Sequence, residues 1–299
     1  MNVTVTGASG FLGGALIASL LENGHKVWVL GRKRPQSAPA SVEFSKWSAD
    51  AEPPPESLAQ ADAVIHLAGE PVAQRWNAEV KARIRSSRVD GTRHLVNALA
   101  NQSRRPKVLV SASAIGVYGS RGDEILTEAS APGSDFLARV SIAWEQAALV
   151  AEPLGIRVVL LRTGVVLGKG GALEKMLPPF RLGVGGRIGG GRQWMSWIHI
   201  EDEIRQILFA LEQPQVRGPL NATAPNPTRN AELTRELASV LHRPAVFPVP
   251  EIALRLLFGE MSEVLLASQR VLPQATQSAG FEFKYPELGP ALRQILTAD

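Results

Sequence analysis

Val3-Thr4-Val5-Thr6-Gly7-Ala8-Ser9-Gly10-Phe11-Leu12-Gly13, at the start of the chain, decides how everything after it is read. Val3 to Thr6 has the β-branched character of a buried strand. Phe11 to Asn23 reads as a helix, and Gly24 supplies the residue that ends it. The turn between them carries three glycines with three different duties. One tolerates positive φ. One lets a pyrophosphate touch the backbone, and the third lets helix and strand pack closely. The helix start then offers free N–H groups and a partial positive charge to phosphate oxygens. The stretch therefore assigns Gly7, Ser9, Gly10, Phe11, Leu12 and Gly13 to a dinucleotide site.

Outward from this turn, short apolar runs alternate with helical segments. Strands are expected near residues 26–30, 42–44, 63–67, 107–111 and 157–161, and helices over 77–100 and 134–152. That alternation predicts an α/β chain with a Rossmann-type, doubly wound parallel sheet. After Gly164 the composition changes to a glycine-dense, loop-rich segment around one short helix at 172–182. Helices resume at 201–211, 230–241, 251–258 and 288–296, which predicts a small C-terminal α/β lobe. Residues 1–168 are read as the nucleotide-binding domain, with later elements free to return to it. Residues 169–299 are read as the substrate lobe and a C-terminal extension.

The chain has no cysteine, which excludes disulfides, thiolate catalysis and cysteine-based metal sites. Five histidines show no metal-ligand spacing. Net charge is +4, but the basic residues are scattered apart from Arg32-Lys33-Arg34, so a nucleic-acid partner is not expected. No apolar stretch approaches the length needed to cross a bilayer, and the N-terminus has no signal-peptide character. No membrane partner is expected, and the location is read as cytoplasmic.

The basic run falls where cofactor choice is made. An NAD site usually ends its second strand with Asp or Glu, which binds the ribose 2′-hydroxyl. Here the strand ends Val29-Leu30-Gly31-Arg32-Lys33-Arg34, with no carboxylate. Arg32 follows Gly10 by 22 residues, and its guanidinium can hold a 2′-phosphate through charge-assisted bonds. Gly31 and Arg32 therefore predict NADP over NAD.

The spacing Gly-x-x-Gly-x-x-Gly resembles the extended short-chain dehydrogenases/reductases, the nucleotide-sugar epimerase and dehydratase group. Asp62-Ala63-Val64-Ile65-His66-Leu67-Ala68-Gly69 is similar to that group's fourth-strand motif, which places Leu67, Ala68 and Gly69 along the adenosine side. Gly116-Val117-Tyr118-Gly119 and Trp197-Ile198-His199-Ile200-Glu201-Asp202 are similar to two further segments. The resemblance also implies a Tyr-x-x-x-Lys pair, a Ser or Thr, and an Asn. None is present. Anchoring on Glu145 puts Leu137 and Ser141 at the Tyr and Lys positions, Ala114 at the hydroxyl position with Ser113 beside it, and Arg88 where the Asn belongs.

This pattern resembles a narrower group of atypical epimerase-like proteins with an extra C-terminal lobe. The shared segments are Arg162-Thr163-Gly164-Val165-Val166-Leu167-Gly168, Gln193 through His199, Asn221 through Pro225, and Gly259-Glu260-Met261. That likeness adds Val166 to the cofactor residues, and some relatives are linked to cell or plastid division. Arg88 is expected to meet the cofactor phosphates or an anionic substrate, with Arg83 a weaker candidate. Tyr118 and Ser113 are the remaining catalytic candidates. His199 and Asp202 read as structural. Arg181, Arg187 and Arg192, in the glycine-dense segment, suit an anionic substrate. Two readings stay open: an NADP-dependent oxidoreductase or epimerase on a small molecule, and a non-catalytic NADP-binding regulator. By analogy alone, a homodimer through the helices at 77–100 and 134–152 is expected.

Overall fold

A computed structural model of the chain describes residues 1–297. The opening strand is β1 (Asn2–Thr6), followed by α1 (Phe11–Glu22), β2 (Lys26–Gly31), β3 (Glu43–Lys46) and β4 (Ala63–His66). Then come α2 (Ala78–Ala100), β5 (Val108–Ala114), α3 (Phe136–Leu149) and β6 (Arg157–Thr163). The second half contributes α4 (Gly171–Arg181), α5 (Ile200–Glu212) and β7 (Gly218–Ala222). It ends with α6 (Asn230–Leu241), α7 (Glu251–Phe258) and a last helix at Leu288–Thr297.

The seven strands form one parallel sheet in the order β3-β2-β1-β4-β5-β6-β7. The winding reverses at β1, so the carboxyl ends of β1 and β4 open a crevice where α/β sheets bind ligands. Both faces are covered, which is why β4 is buried at all four positions. Leu16, Ile17 and Leu20 of α1 and Ile204 and Ile207 of α5 pack on Val3, Val5 and Val29. Leu95 and Leu99 of α2 and Ala148 of α3 pack on Val64, Leu109 and Val158 of the opposite face.

Local capping sets the helix ends. Asn77 accepts from the Val80 amide at 2.8 Å and starts α2. The helix expected from Ser134 begins two residues later because the Asp135 carboxylate caps the Ala138 amide at 2.9 Å. Gly24, with φ 74°, closes α1.

Residues 200–222 return to the sheet, with α5 on the α1 face and β7 as the outermost strand. A strand at 218–222 was not expected. Pro219 argues against a central strand, but β7 lies at an edge, where a missing N–H is tolerated. A second unexpected pair, Val165–Gly168 beside Trp197–His199, runs parallel outside the main sheet.

The lobe has its own core of Leu173, Leu177, Trp197, Leu237, Leu292 and Ile295. Asp202 fastens it to the sheet domain. Its fully buried carboxylate accepts from the Lys284 and Tyr285 amides, each at 2.8 Å, and from Arg205. His199 accepts from the Glu201 amide through Nδ1, so Nε2 carries the proton donated to Gln294 Oε1 at 2.9 Å. No helix among the described residues is long and apolar enough to cross a membrane.

Glu203, next to Asp202, is fully buried, and burial pushes its carboxyl up to about 8. One oxygen accepts from Thr163 Oγ1 at 2.7 Å; the other has no partner. The acid is therefore neutral in the fold, and its contribution is intact below pH 4.5. It is lost as pH rises toward 8, because the unfolded chain releases this proton first. Glu203→Gln is expected to remove this loss, gaining on the order of 5 kcal/mol over wild type above pH 8. Urea unfolding at pH 5 and pH 9 measures it; an equal effect of the substitution at both pH values would show that Glu203 does not titrate this way.

Candidate cofactor site

The three glycines divide the work of the turn as their environments require. Gly7 has φ 74°, and a Cβ there would lie 2.6 Å from the Leu67 carbonyl carbon. A Cβ on Gly13 would lie 2.5 Å from the Gly7 oxygen and 2.6 Å from Ala8 Cα, so only glycine lets α1 sit this close to β1. Gly10 caps α1 with no side-chain hydrogen bond, and no acid stands in the first turn. The first amides of α1 are thus left for an anion.

In front of this turn lies a cleft of about 1080 Å³. Gly7, Ser9, Gly10, Gly31, Arg32, Leu67, Ala68 and Gly69, all named from sequence, line it. Arg32 and Lys33 are exposed at its lip, while Arg34 turns away to donate to the Pro39 carbonyl at 2.7 Å. Phe11, Leu12, Gly13, Arg88 and Val166, also named from sequence, do not line it. Leu12 and Val166 pack against the sheet core. The Phe11 ring is seated against a glycine bend: a Cβ at Gly168, Gly170 or Gly171 would lie 2.8–2.9 Å from it.

Behind the cleft wall, buried polar groups hold the loop after β4. Thr92 Oγ1 donates to the Arg88 carbonyl, so it accepts from His66 Nε2 at 3.0 Å. His66 Nδ1 then accepts from Thr6 Oγ1 at 2.7 Å, and that oxygen takes the Ala68 amide. Burial pulls the His66 imidazole down to about 4, so it is a neutral hydrogen-bonding post. Arg88 reaches the same loop rather than the cleft. Its Nη1 donates to the Glu70 carbonyl at 2.8 Å and the Ile84 carbonyl at 3.2 Å, and its guanidinium lies 5.2 Å from the Trp144 ring centre. Burial lowers its pKa to about 10, which leaves it charged at neutral pH.

Sequence reasoning missed Trp47–Asp50 after β3, and it missed the edge of α2 at Ser86, Asp90, Arg93 and Asn97. The first group lies in a proline- and serine-rich stretch with no periodic pattern to mark it. The second repeats at three- and four-residue spacing, a polar stripe that was legible as one helix face but looks the same as a solvated surface.

The catalytic candidates face inward. Tyr118 is fully buried; its hydroxyl donates to Asn221 Oδ1 at 2.7 Å and accepts from Arg162 Nη1 at 2.9 Å. Ser113 Oγ donates to Glu145 Oε1 at 2.7 Å. Arg162 binds Glu145 through two parallel bonds of 2.8 Å. Burial raises the Tyr118 pKa. Burial alone would loosen the proton on Arg162, but the Glu145 carboxylate outweighs it and the net shift is upward. The two hydroxyls are thus held in a closed, charged network under the sheet edge. Ala114 and Leu137, at the expected hydroxyl and Tyr positions, hold no ionisable group. Among the described residues no group of three or more acids or histidines could hold a metal.

A reversed-order parallel sheet, a glycine turn under a helix start and a cationic second-strand lip define a dinucleotide-binding α/β protein. The chain belongs to the NAD dependent epimerase/dehydratase family, whose pattern matches residues 3–222; a domain of unknown function, DUF1731, matches residues 249–295. It is 39% identical to the epimerase family protein YfhF of Bacillus subtilis, over 99% of this chain and 98% of that one. Identity is 43% to the chloroplastic SDR39U1 homologue of Arabidopsis thaliana, over 99% and 87%. The fold superimposes on the crystal structure of human epimerase family protein SDR39U1 with NADPH at a TM-score of 0.89, with 34% identity and complete coverage of both chains.

Proposed function

We propose that this protein binds NADP(H) in the cleft described above and uses it in an oxidoreductase or epimerase reaction on a small, anionic substrate. The observation that carries the reading is the cleft itself: free α1 amides beside a glycine cradle, with Arg32 and Lys33 at the lip, where they would meet the 2′-phosphate of NADP. The NADPH in the human relative's structure supports the same cofactor. Bound NADPH would supply hydride. This chain's residues would grip the diphosphate through Gly7–Gly10, hold the 2′-phosphate through Arg32, and keep the loop at Leu67–Gly69 in place through His66 and Arg88.

Arg32→Ala is expected to weaken NADPH binding about 10- to 100-fold, the loss of roughly 1.5–3 kcal/mol of charged hydrogen bonding, with little change for NADH. Fluorescence titration of both cofactors measures this, and an equal loss for both would remove Arg32 from the 2′-phosphate.

One observation favours the second reading, a non-catalytic NADP-binding regulator. Tyr118 and Ser113 are held inside the protein, and no Tyr-x-x-x-Lys pair replaces them. Following NADPH consumption across carbonyl compounds and sugar nucleotides separates the two readings. Tight binding with no consumption across the panel supports the regulator.

A further inference from the structure

Large apolar side chains are exposed on one region of the lobe. Leu182, Val246, Phe247, Ile252, Leu256 and Leu257 each expose between 57% and 77% of their surface. They share one surface because the segments carrying them run side by side. Val249 donates to the Arg187 carbonyl at 2.8 Å, the Gly189 amide donates to the Val249 carbonyl at 2.9 Å, and Arg243 Nε donates to the Arg181 carbonyl. A Cβ on Gly186 would collide with the Phe247 carbonyl, so glycine there lets the two segments touch. Then α7 continues the surface, with Leu254 facing inward and Ile252 and Leu256, one turn apart, facing out. Monomers rarely leave contiguous apolar patches larger than a few hundred Å² uncovered.

We propose that a second copy of this chain covers the α7 face, in a two-fold dimer with α7 antiparallel to its mate. Charge selects this occupant. Glu251 and Arg255 are exposed one turn apart beside the apolar stripe, and neither forms an ion pair within the described residues. A two-fold antiparallel contact sets Glu251 of each copy beside Arg255 of the other, so the surface complements itself. The outer positions of α2 and α3, where an analogy with the superfamily puts the dimer, carry Arg85, Arg139 and Gln146 instead of an apolar stripe. The proposal does not depend on which cofactor or reaction the cleft serves.

The cysteine-free sequence makes the test direct. Ile252→Cys, one residue from the two-fold at position 253, is expected to give a disulfide-linked dimer under mild oxidation, while Arg85→Cys stays monomeric on a denaturing gel. In sedimentation velocity, wild type shows a dimer, and Leu256→Glu weakens it at least about tenfold while leaving NADPH binding unchanged. Glu251→Arg and Arg255→Glu each weaken the dimer, and the double exchange restores it. Three results would overturn the proposal: a monomer at every concentration, cross-linking at Arg85→Cys instead of Ile252→Cys, or a monomer that floats with phospholipid vesicles, which would give the patch to a membrane.

Discussion

Gly13→Ala is expected to abolish useful cofactor affinity, weakening NADPH binding by at least about 100-fold, or roughly 2.7 kcal/mol. The added methyl meets the Gly7 carbonyl oxygen at 2.5 Å and the Ala8 backbone at 2.6–2.8 Å. These are backbone atoms of the phosphate turn, so they cannot swing aside as a flexible side chain would. Helix α1 must lift away from the turn, and its first amides then point off the diphosphate. Stability also falls, by about 1–3 kcal/mol, the usual cost of overpacking. Gly14→Ala is the matched control. Its Cβ meets only Ser37 Oγ, at 3.9 Å, so it is expected to bind NADPH normally and to gain about 0.5–1 kcal/mol in helix propensity. Titration of both variants decides the matter, and NADPH affinity in Gly13→Ala within about threefold of Gly14→Ala would place the diphosphate elsewhere.

The second large effect is on stability. Arg162→Met removes one half of a buried ion pair and leaves Glu145 with only the Ser113 hydroxyl. A buried charge stripped of its partner costs about 3–5 kcal/mol, a large share of a typical domain's stability. Tyr118 also loses the donor to its hydroxyl oxygen. The double variant Arg162→Met with Glu145→Leu is expected to recover most of the loss, because no uncompensated charge remains. Denaturant unfolding of the two single variants and the double measures this. A double variant as unstable as the sum of the singles would mean that packing, not charge pairing, is what the network supplies.

The two predictions draw on different kinds of information. The glycine turn, β1 and the start of α1 are legible in sequence because their causes are local. Positive φ, close backbone approach and free helix-start amides are settled within thirteen residues. Arg32 was legible for a similar reason, since its distance along the chain from Gly10 fixes where the second strand ends. The absence of Tyr and Lys at 137 and 141 is likewise a matter of residue identity alone.

The polar network was not legible, and Tyr118 shows why. In sequence it is a tyrosine after a strand, which suits an acid beside a substrate. Its partners are Asn221, 103 residues later, and Arg162, 44 residues later. Arg88 shows the same limit. Residue type and helix position suggested a phosphate partner, and only the path of residues 66–70 shows the Glu70 carbonyl accepting its hydrogen bond.

By itself, then, the amino-acid order determined the fold class, the glycine turn, the cationic residues after the second strand and the absence of Tyr and Lys at 137 and 141, because each follows from short-range sterics or from residue identity. Tertiary structure alone decided which polar side chains face the cleft and which are buried, that β7 returns to close the sheet, and that α7 is left uncovered. Those outcomes depend on desolvation and on partners 17 to 103 residues apart, and no local pattern encodes either one.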